Sequence, residues 1–465
     1  MNINAEATRS GIGRTAPIIT TGVVIFVLSF RIYADKPFFG NMDDSSFLLL
    51  AKQGGPLGFN SFYDDPGSGF LRTTSWIVSW PAYWAAGWLG SGALYLINAV
   101  LVVGIVLVFG AAAKCFFGWR SQWTFAAFIA ATFIWPYTAE LFAFPSLQEK
   151  SILLGAGLLL WWVSRGIRVK NWLGSYSLLI FISILAFNTK TQITLFIPGL
   201  LLALVLSTQF SSTLPKDRYL ARRMTAGALW FLCSLSLIIL ALRGSYTVGT
   251  RGGEWFHIPT NSALAGLAAL TFTYSIILLI RRHRGYSISA DLIAVVWPIT
   301  TLFAFSIWDL RNYYLAVVGV MFAVLIANIL NWSHSRRFPS VVALALIVAS
   351  SIWMLLRIPM FFEATASINN FLNDPITSQL NSTKALIEVS CEEAPIHFNR
   401  YAQDRGLLGL TFVTGDPANT QEGPARYVLA DERLCPLAIQ VIDPPVWTDG
   451  SRYGYQLFLV EGDES

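Results

Sequence analysis

Charged side chains are scarce in this chain, 13% of 465 residues against 54% hydrophobic, and the mean hydropathy is positive at +0.55. Soluble domains carry about 25% charged residues, so a water-facing exterior on all sides is excluded. Cysteine is scarce too. Of the four cysteines, Cys115 and Cys233 fall near or within apolar runs, while Cys391 and Cys435 lie in the polar C-terminal region. That second pair reads either as a disulfide or as two buried thiols, depending on the compartment. No GxxxxGK[ST] or GxGxxG loop is present, and no His, Cys and acid spacing forms a tight metal site. Internal repeats and low-complexity segments are missing as well. The formal charge of +5 sits on the connectors between apolar runs, so no nucleic-acid partner is implied.

What is present is a series of apolar runs of membrane-spanning length. The first covers 18–32, and others come at 89–113, 122–138, 149–164, 172–188, 192–208, 225–242, 261–280, 290–307, 313–331 and 339–357. That makes about eleven spans. Arg9 and Arg14 precede the first run, and no small-residue cleavage site separates it from Asp43, which predicts a retained helix rather than a removed signal peptide. Residues 35–84 mix Gly, Pro, Asp and Trp with short amphipathic pieces such as 47–52, the composition of helices lying along a membrane surface.

The connectors set the orientation. Lys114 and Arg120; Arg165, Arg168 and Lys170; Lys216, Arg218, Arg222 and Arg223; Arg281, Arg282 and Arg284; and Arg336 and Arg337 fall on alternate connectors, on the side of Arg9 and Arg14. The positive-inside rule makes that side cytoplasmic. The opposite connectors collect Asp43, Asp44, Asp64, Asp65, Glu140, Glu149, Glu254 and Asp309, against a lone Asp217 on the inner side. An odd number of spans puts the tail, 359–465, outside. A helix over 383–389, then alternating stretches such as Arg426-Tyr427-Val428-Leu429-Ala430 and the run 455–460, predict a small α/β domain with its own core. The fold class is therefore an all-α polytopic membrane protein, 1–358 with an outward loop at 35–84, carrying a C-terminal α/β domain at 359–465.

The outward loops hold the chemistry. Asp43 and Asp44 adjoin the first span, where two carboxylates are costly to desolvate and line a wet cavity more readily than they face lipid. Adjacent helical positions differ by about 100°, so one acid faces a substrate while the other orients a partner. Asp64 and Asp65 precede Pro66-Gly67, which is ordinary turn chemistry, and Arg72 either pairs with them or reaches a phosphate. Glu140 comes after Trp135-Pro136-Tyr137 and reads as a second site acid or as an interfacial carboxylate; Glu149 and Lys150 open a span and pair with each other in the plainest reading. Lys190 sits in a very short turn between two spans, where a lysine snorkels to lipid phosphates or binds a substrate phosphate. Arg311 can clamp a phosphate with two N–H groups, or simply pair with Asp309, while Tyr313 adds a hydroxyl or an interfacial anchor. The Gly-rich loop 243–257 suits a cover over the site, and its lone His257 reads as a surface residue. Asp431-Glu432-Arg433 and Asn399-Arg400-Tyr401 read as ordinary surface.

In order and topology these residues resemble the GT-C glycosyltransferase superfamily, in the branch of protein O-mannosyltransferases and lipid A aminoarabinose transferases. The resemblance rests on Asp43-Asp44 after one span, on Thr189-Lys190 between Leu185-Ala186-Phe187-Asn188 and the run 196–204, and on Arg311-x-Tyr313 ahead of a late span. Phe47 stands where the family usually has tyrosine, and Gly69-Phe70-Leu71-Arg72-Thr73-Thr74 replaces its Lys-Pro-Pro stretch. The resemblance implies a sugar donor carried on polyprenyl phosphate and a glycan or lipid acceptor, met at the outer face of a bacterial inner membrane. Asp43 then corresponds to the catalytic base, Asp44 to its acidic neighbour, Glu140 to the second-loop acid, and Lys190 and Arg311 to donor-phosphate ligands, with Arg72 and Tyr313 beside them. No cofactor is certain, and a divalent cation, Mg2+ or Mn2+, stays open. The missing nucleotide loops agree with a donor already activated in the membrane. A transporter or flippase of lipid-linked sugars would favour ionisable groups deep in several spans and repeated halves. An O-antigen polymerase or ligase would need neither the Asp-Asp pair nor a C-terminal domain.

Overall fold

The computed structural model describes residues 3–39, 44, 47–48, 51, 73–145, 147, 149–165, 262–286, 291–307, 315–333, 337–389, 394–414, 426–430, 445–448, 450 and 455–460. The expected spans at 172–188, 192–208 and 225–242, the 243–257 loop, and Asp43, Asp64, Asp65, Arg72, Lys190, Arg311, Tyr313, Cys391 and Cys435 lie outside these residues.

The described chain is mostly helical. In order come α1 (Ile3–Asp35), α2 (Thr73–Leu89), α3 (Ser91–Phe117), α4 (Gln122–Ile134), α5 (Thr138–Ala143), α6 (Glu149–Arg165), α7 (Ser262–His283), α8 (Asp291–Ile307), α9 (Leu315–Asn331), α10 (Phe338–Arg357), α11 (Pro359–Asn373) and α12 (Pro375–Ser382). After them come β1 (Leu386–Val389), α13 (Ala394–Asp404), β2 (Thr411–Thr414), β3 (Arg426–Ala430), β4 (Trp447–Thr448) and β5 (Gln456–Val460). Among the described residues four stretches are long and apolar enough to cross a membrane: Thr15–Asp35, Ser91–Phe117, Ser262–His283 and Phe338–Asn373. Gln122–Ile134 and Leu315–Asn331 are shorter but equally apolar.

Length and burial divide these helices into two kinds. The short α4 and α9 are enclosed: Ala126 to Ala131 and Leu315 to Val318 have almost no exposure. The long α1, α7 and α10 keep bare apolar faces, with Phe26, Phe30, Phe272, Leu279, Val341 and Val348 exposed. A contiguous apolar exterior of this kind belongs against lipid. Close approach inside the bundle relies on small residues. A Cβ on Gly157 of α6 would stand 3.0 Å from the Cα of Phe109 on α3, so alanine there would push the two helices apart. Hydroxyls within the apolar layer return to their own helix, as Thr20 does to the Ala16 carbonyl at 2.9 Å and Thr271 to Leu267 at 2.7 Å, which removes an unsatisfied donor from a waterless setting.

The polypeptide passes from bundle to sheet through α10 and α11. The sheet has the order β2-β1-β3-β5-β4, with β1 parallel to both β2 and β3 and β5 antiparallel to β3 and β4. Helix α13 is the crossover between β1 and β2. Ile368, Phe371 and Leu372 of α11 share one core with Ile387, Val389, Phe398, Phe412, Leu429 and Leu457. The backbone N–H of Tyr455 donates to Ser367 Oγ at 2.9 Å, so α11 belongs to the sheet as much as to the bundle.

The expected helix at 383–389 is corrected. Asp374 caps the N-terminus of α12 by accepting from the Ile376 N–H at 2.9 Å, the helix ends at Ser382, and Lys384 takes a left-handed φ of 58°. Beyond that turn the alternating Leu386-Ile387-Glu388-Val389 pairs as β1. Four residues are too few for one sequence period to distinguish helix from strand.

Candidate functional site

The two ends of the bundle differ in charge. Lys114, Arg120, Arg281, Arg282, Arg284 and Arg337 lie at the turns of one end; Asp44, Glu140 and Glu149 lie at the other, beneath the sheet. One acid departs from the expected division, because Asp291 opens α8 at the basic end and accepts from Tyr274 Oη at 3.0 Å.

At the acid end the candidate site is assembled from α2, α3, α5, α6 and α10 and from the connector after α1. Asp44 is only 2% exposed and accepts a short hydrogen bond from the Tyr83 hydroxyl of α2. Tyr83 is itself fixed edge-on by Phe47, with ring centroids 5.3 Å apart. The Asp44 carboxylate is thus held in place by a donor from α2. On the neighbouring α3, Tyr95 Oη donates to the Phe38 carbonyl at 2.7 Å, and Asn98 Nδ2 donates to the Leu141 carbonyl at 2.8 Å.

Lys150 is the feature that the sequence underrated. It is fully buried in the first turn of α6, and its Nζ donates to Asn98 Oδ1 at 2.7 Å and to the Pro145 carbonyl at 2.5 Å. The carboxylates of Asp44 and Glu149 act on this ammonium electrostatically. A buried ammonium is tolerable only with such partners. One signal was present in the sequence: an asparagine inside the apolar run of α3 needs a polar partner, and Lys150 is that partner.

Glu140, on the short α5 between two apolar helices, joins the same cluster. Burial chiefly raises its carboxyl, the Arg357 guanidinium opposes the rise, and Glu149 adds to it, leaving a pKa of about 7. A carboxyl with that value changes charge near neutrality, as a group that exchanges protons must. Arg357, at the last turn of α10, lies 5.4 Å over the Phe361 ring. It is a second cation that the sequence reading did not select.

Beside this cluster a groove of about 500 Å³ opens between the last turns of α1 and the first of α3, lined by Ser29, Ile32, Tyr33, Lys36, Ser91 and Leu96. Its apolar walls lie at the end of two candidate spans, with the exposed Lys36 at the rim.

Of the expected site residues, the structure therefore brings Asp44 and Glu140 to one end and one electrostatic cluster. Asp43, Lys190, Arg311, Arg72 and Tyr313 fall outside the described residues. Among the described residues no group of three or more His, Cys, Asp or Glu side chains is placed to hold a metal ion. Chemically, the arrangement offers an oriented carboxylate, a carboxyl that titrates near neutrality and a buried cation, on a floor of apolar helices. No family model and no curated protein matches the chain.

Proposed function

We propose that the chain is an integral-membrane glycosyltransferase that moves a sugar from a polyprenyl-phosphate donor to a glycan or lipid acceptor of the cell envelope. The observation that carries this reading is the buried Asp44, oriented by Tyr83 and coupled to the Lys150 ammonium at the acid end of the bundle. Asp43, adjoining it in sequence, is the proposed base. It takes the proton of the acceptor hydroxyl as that oxygen bonds to the anomeric carbon from the face opposite the leaving group. The bond from the anomeric carbon to the phosphate oxygen breaks, polyprenyl phosphate departs with the electron pair, and the configuration inverts. A phosphate leaving group needs no proton. Lys190 and Arg311, with Arg72 and Tyr313, are the proposed phosphate ligands. Lys150 adds positive charge beside Asp44, where preorganised charge acts on rate. The groove rimmed by Lys36 has the chemistry of a lipid phosphate with its chain.

The same reading sets eleven spans in a bacterial inner membrane, with the N-terminus cytoplasmic and the C-terminal α/β domain periplasmic, by the alternation of basic and acidic connectors. The test is transfer by the purified chain in proteoliposomes, from a panel of labelled polyprenyl-phosphate sugars to cell-envelope acceptors. Wild type should form a glycosylated product and Asp43→Asn should not. Folded wild type without transfer to any acceptor, or an Asp43→Asn variant of equal rate, would overturn the proposal.

A further inference from the structure

Phe38 and Phe39, just after α1, are gripped from two sides. From below, Tyr95 of α3 donates to the Phe38 carbonyl at 2.7 Å, and the Tyr95 ring meets Phe362 of α11 edge-on at 4.9 Å. From above, Tyr401 of α13 meets the Phe38 ring at 5.3 Å and 70° and stacks on Phe39 at 6.4 Å and 25°. The Arg405 guanidinium lies 4.9 Å over the Phe38 ring, while its other N–H groups donate to Asn369 Oδ1 of α11 at 2.7 Å and to the Tyr401 carbonyl at 3.2 Å. Phe38 and Phe39 thereby pack against the core of the sheet, although in sequence they directly follow the first span.

We propose that Tyr401 is a positioning residue: by clamping Phe38 and Phe39 against the sheet it fixes the start of the loop that carries the Asp43-Asp44 pair. Three observations converge on this role. Tyr401 is buried, yet lies in an amphipathic helix where a core residue of the sheet alone would need no contact with residues 38 and 39. Tyr401 is within electrostatic reach of the site: burial first, then the charge of Asp44, then Tyr95, hold its phenol well above the usual tyrosine value. Lys36 adopts a left-handed φ of 46° immediately before Pro37, a conformation that persists only where the surroundings hold it. The Lys36 N–H donates to the Ile32 carbonyl at 3.1 Å, so this turn ends α1 and the clamped Phe38 and Phe39 follow it directly. Edge-on and stacked aromatic pairs stabilise beyond their buried area, and together they favour this one placement of Phe38 and Phe39. A shift of about 1 Å in a reacting group lowers rates by about 100-fold.

The clamp itself is independent of the reaction, whereas its kinetic consequence rests on the transferase reading, so the experiment measures both. Purified full-length protein is treated briefly with chymotrypsin, which cuts after Phe38 or Phe39 once the connector is free. Wild type and Tyr401→Phe should resist cutting at that place, and Tyr401→Ala should be cut there selectively, with the rest of the chain still resistant. In proteoliposomes supplied with polyprenyl-phosphate sugar, kcat should fall about 10- to 100-fold in Tyr401→Ala with little change in donor KM, and Tyr401→Phe should restore it, because the ring and not the hydroxyl forms the clamp. If Tyr401→Ala does not fold, Arg405→Met, at a half-exposed position, takes its place: it removes the cation over Phe38 and should raise cutting at the connector severalfold. Equal protection of wild type and of the folded Tyr401→Ala or Arg405→Met protein overturns the clamp. A Tyr401→Phe protein as slow as Tyr401→Ala overturns the ring as its agent. Selective cutting together with wild-type kcat overturns the positioning role. Absence of transfer by wild type with selective cutting intact overturns the transferase reading and leaves the clamp standing.

Discussion

Both ends of the bundle bury a chain of polar side chains, yet the two chains are built for different work. At the basic end, Trp119 Nε1 donates to Asn328 Oδ1 at 2.6 Å, Asn328 Nδ2 donates to Tyr274 Oη at 3.1 Å, and Tyr274 Oη donates to Asp291. Trp332 stacks on Tyr274 at 4.8 Å, and Arg281 lies 4.5 Å over Trp332. Donors and acceptors succeed one another in a closed sequence that ties α7, α8 and α9 to the turn after α3, which is the pattern of a structural clasp. At the acid end a buried lysine ammonium sits among several carboxyls, Glu140 titrates near neutrality, and a separate sheet covers the groups. A clasp needs each donor matched to one acceptor; a site needs an excess of charge of one sign that a substrate can answer.

Neutralising the buried cation of the acid end should have the largest effect. Lys150→Met conserves volume but strands the acceptors Asn98 Oδ1 and the Pro145 carbonyl, and it leaves Asp44 and Glu149 without the ammonium that acts on them. Initial rates of sugar transfer should fall by about 100-fold or more. A rate within about twofold of wild type would make Lys150 a second structural clasp. Next in size is the equivalent cut at the basic end. Asn328→Leu removes both bonds that join Trp119 to Tyr274, and thermal unfolding in detergent should register a loss of about 1–3 kcal/mol, while the rate per folded molecule stays near wild type.

The sequence made the bundle legible because apolar runs are long and repeat their signal over many residues. It also made the acid end legible, since alternate connectors carry alternate charge, and that alone placed Asp44 and Glu140 together. Three features were hidden. Lys150 is joined to Asn98 by the packing of α3 on α6, a contact across distant positions that no local period encodes. The β1 strand is too short to show its alternation against the helix before it. Tyr401, in the stretch Asn399-Arg400-Tyr401 read as surface, is covered by residues 38 and 39 from the far end of the chain. Asn399 is not plain surface either: its side chain exchanges two 2.8 Å hydrogen bonds with the backbone of Phe412 and so ties α13 to β2. Local polarity describes an isolated helix, and it fails where a second unit docks on that helix.

The smallest expected effect is also the one that compares bundle and sheet most directly, through pH. Glu140, on the bundle, has its carboxyl raised from 4.5 to about 7, mainly by burial. The folded state therefore holds a proton that the unfolded state releases, and this contribution to stability is present below pH 4.5 and is lost as pH rises through about 7. His397, on α13 of the sheet, runs the other way. Burial first and Arg400 second lower its imidazole from 6.5 to about 4, so the unfolded state binds the extra proton and stability is lost as pH falls from 6.5 toward 4. Over the shared window the two slopes oppose each other, and wild-type stability should change by less than about 1 kcal/mol between pH 5 and 6 from this pair. Each single variant should unmask the other slope. Glu140→Gln should become steadily more stable from pH 5 to 6.5, and His397→Gln steadily less stable over the same range. Thermal unfolding of the two proteins across that range checks the signs, and parallel curves would show that one of the two groups is not perturbed as its burial requires.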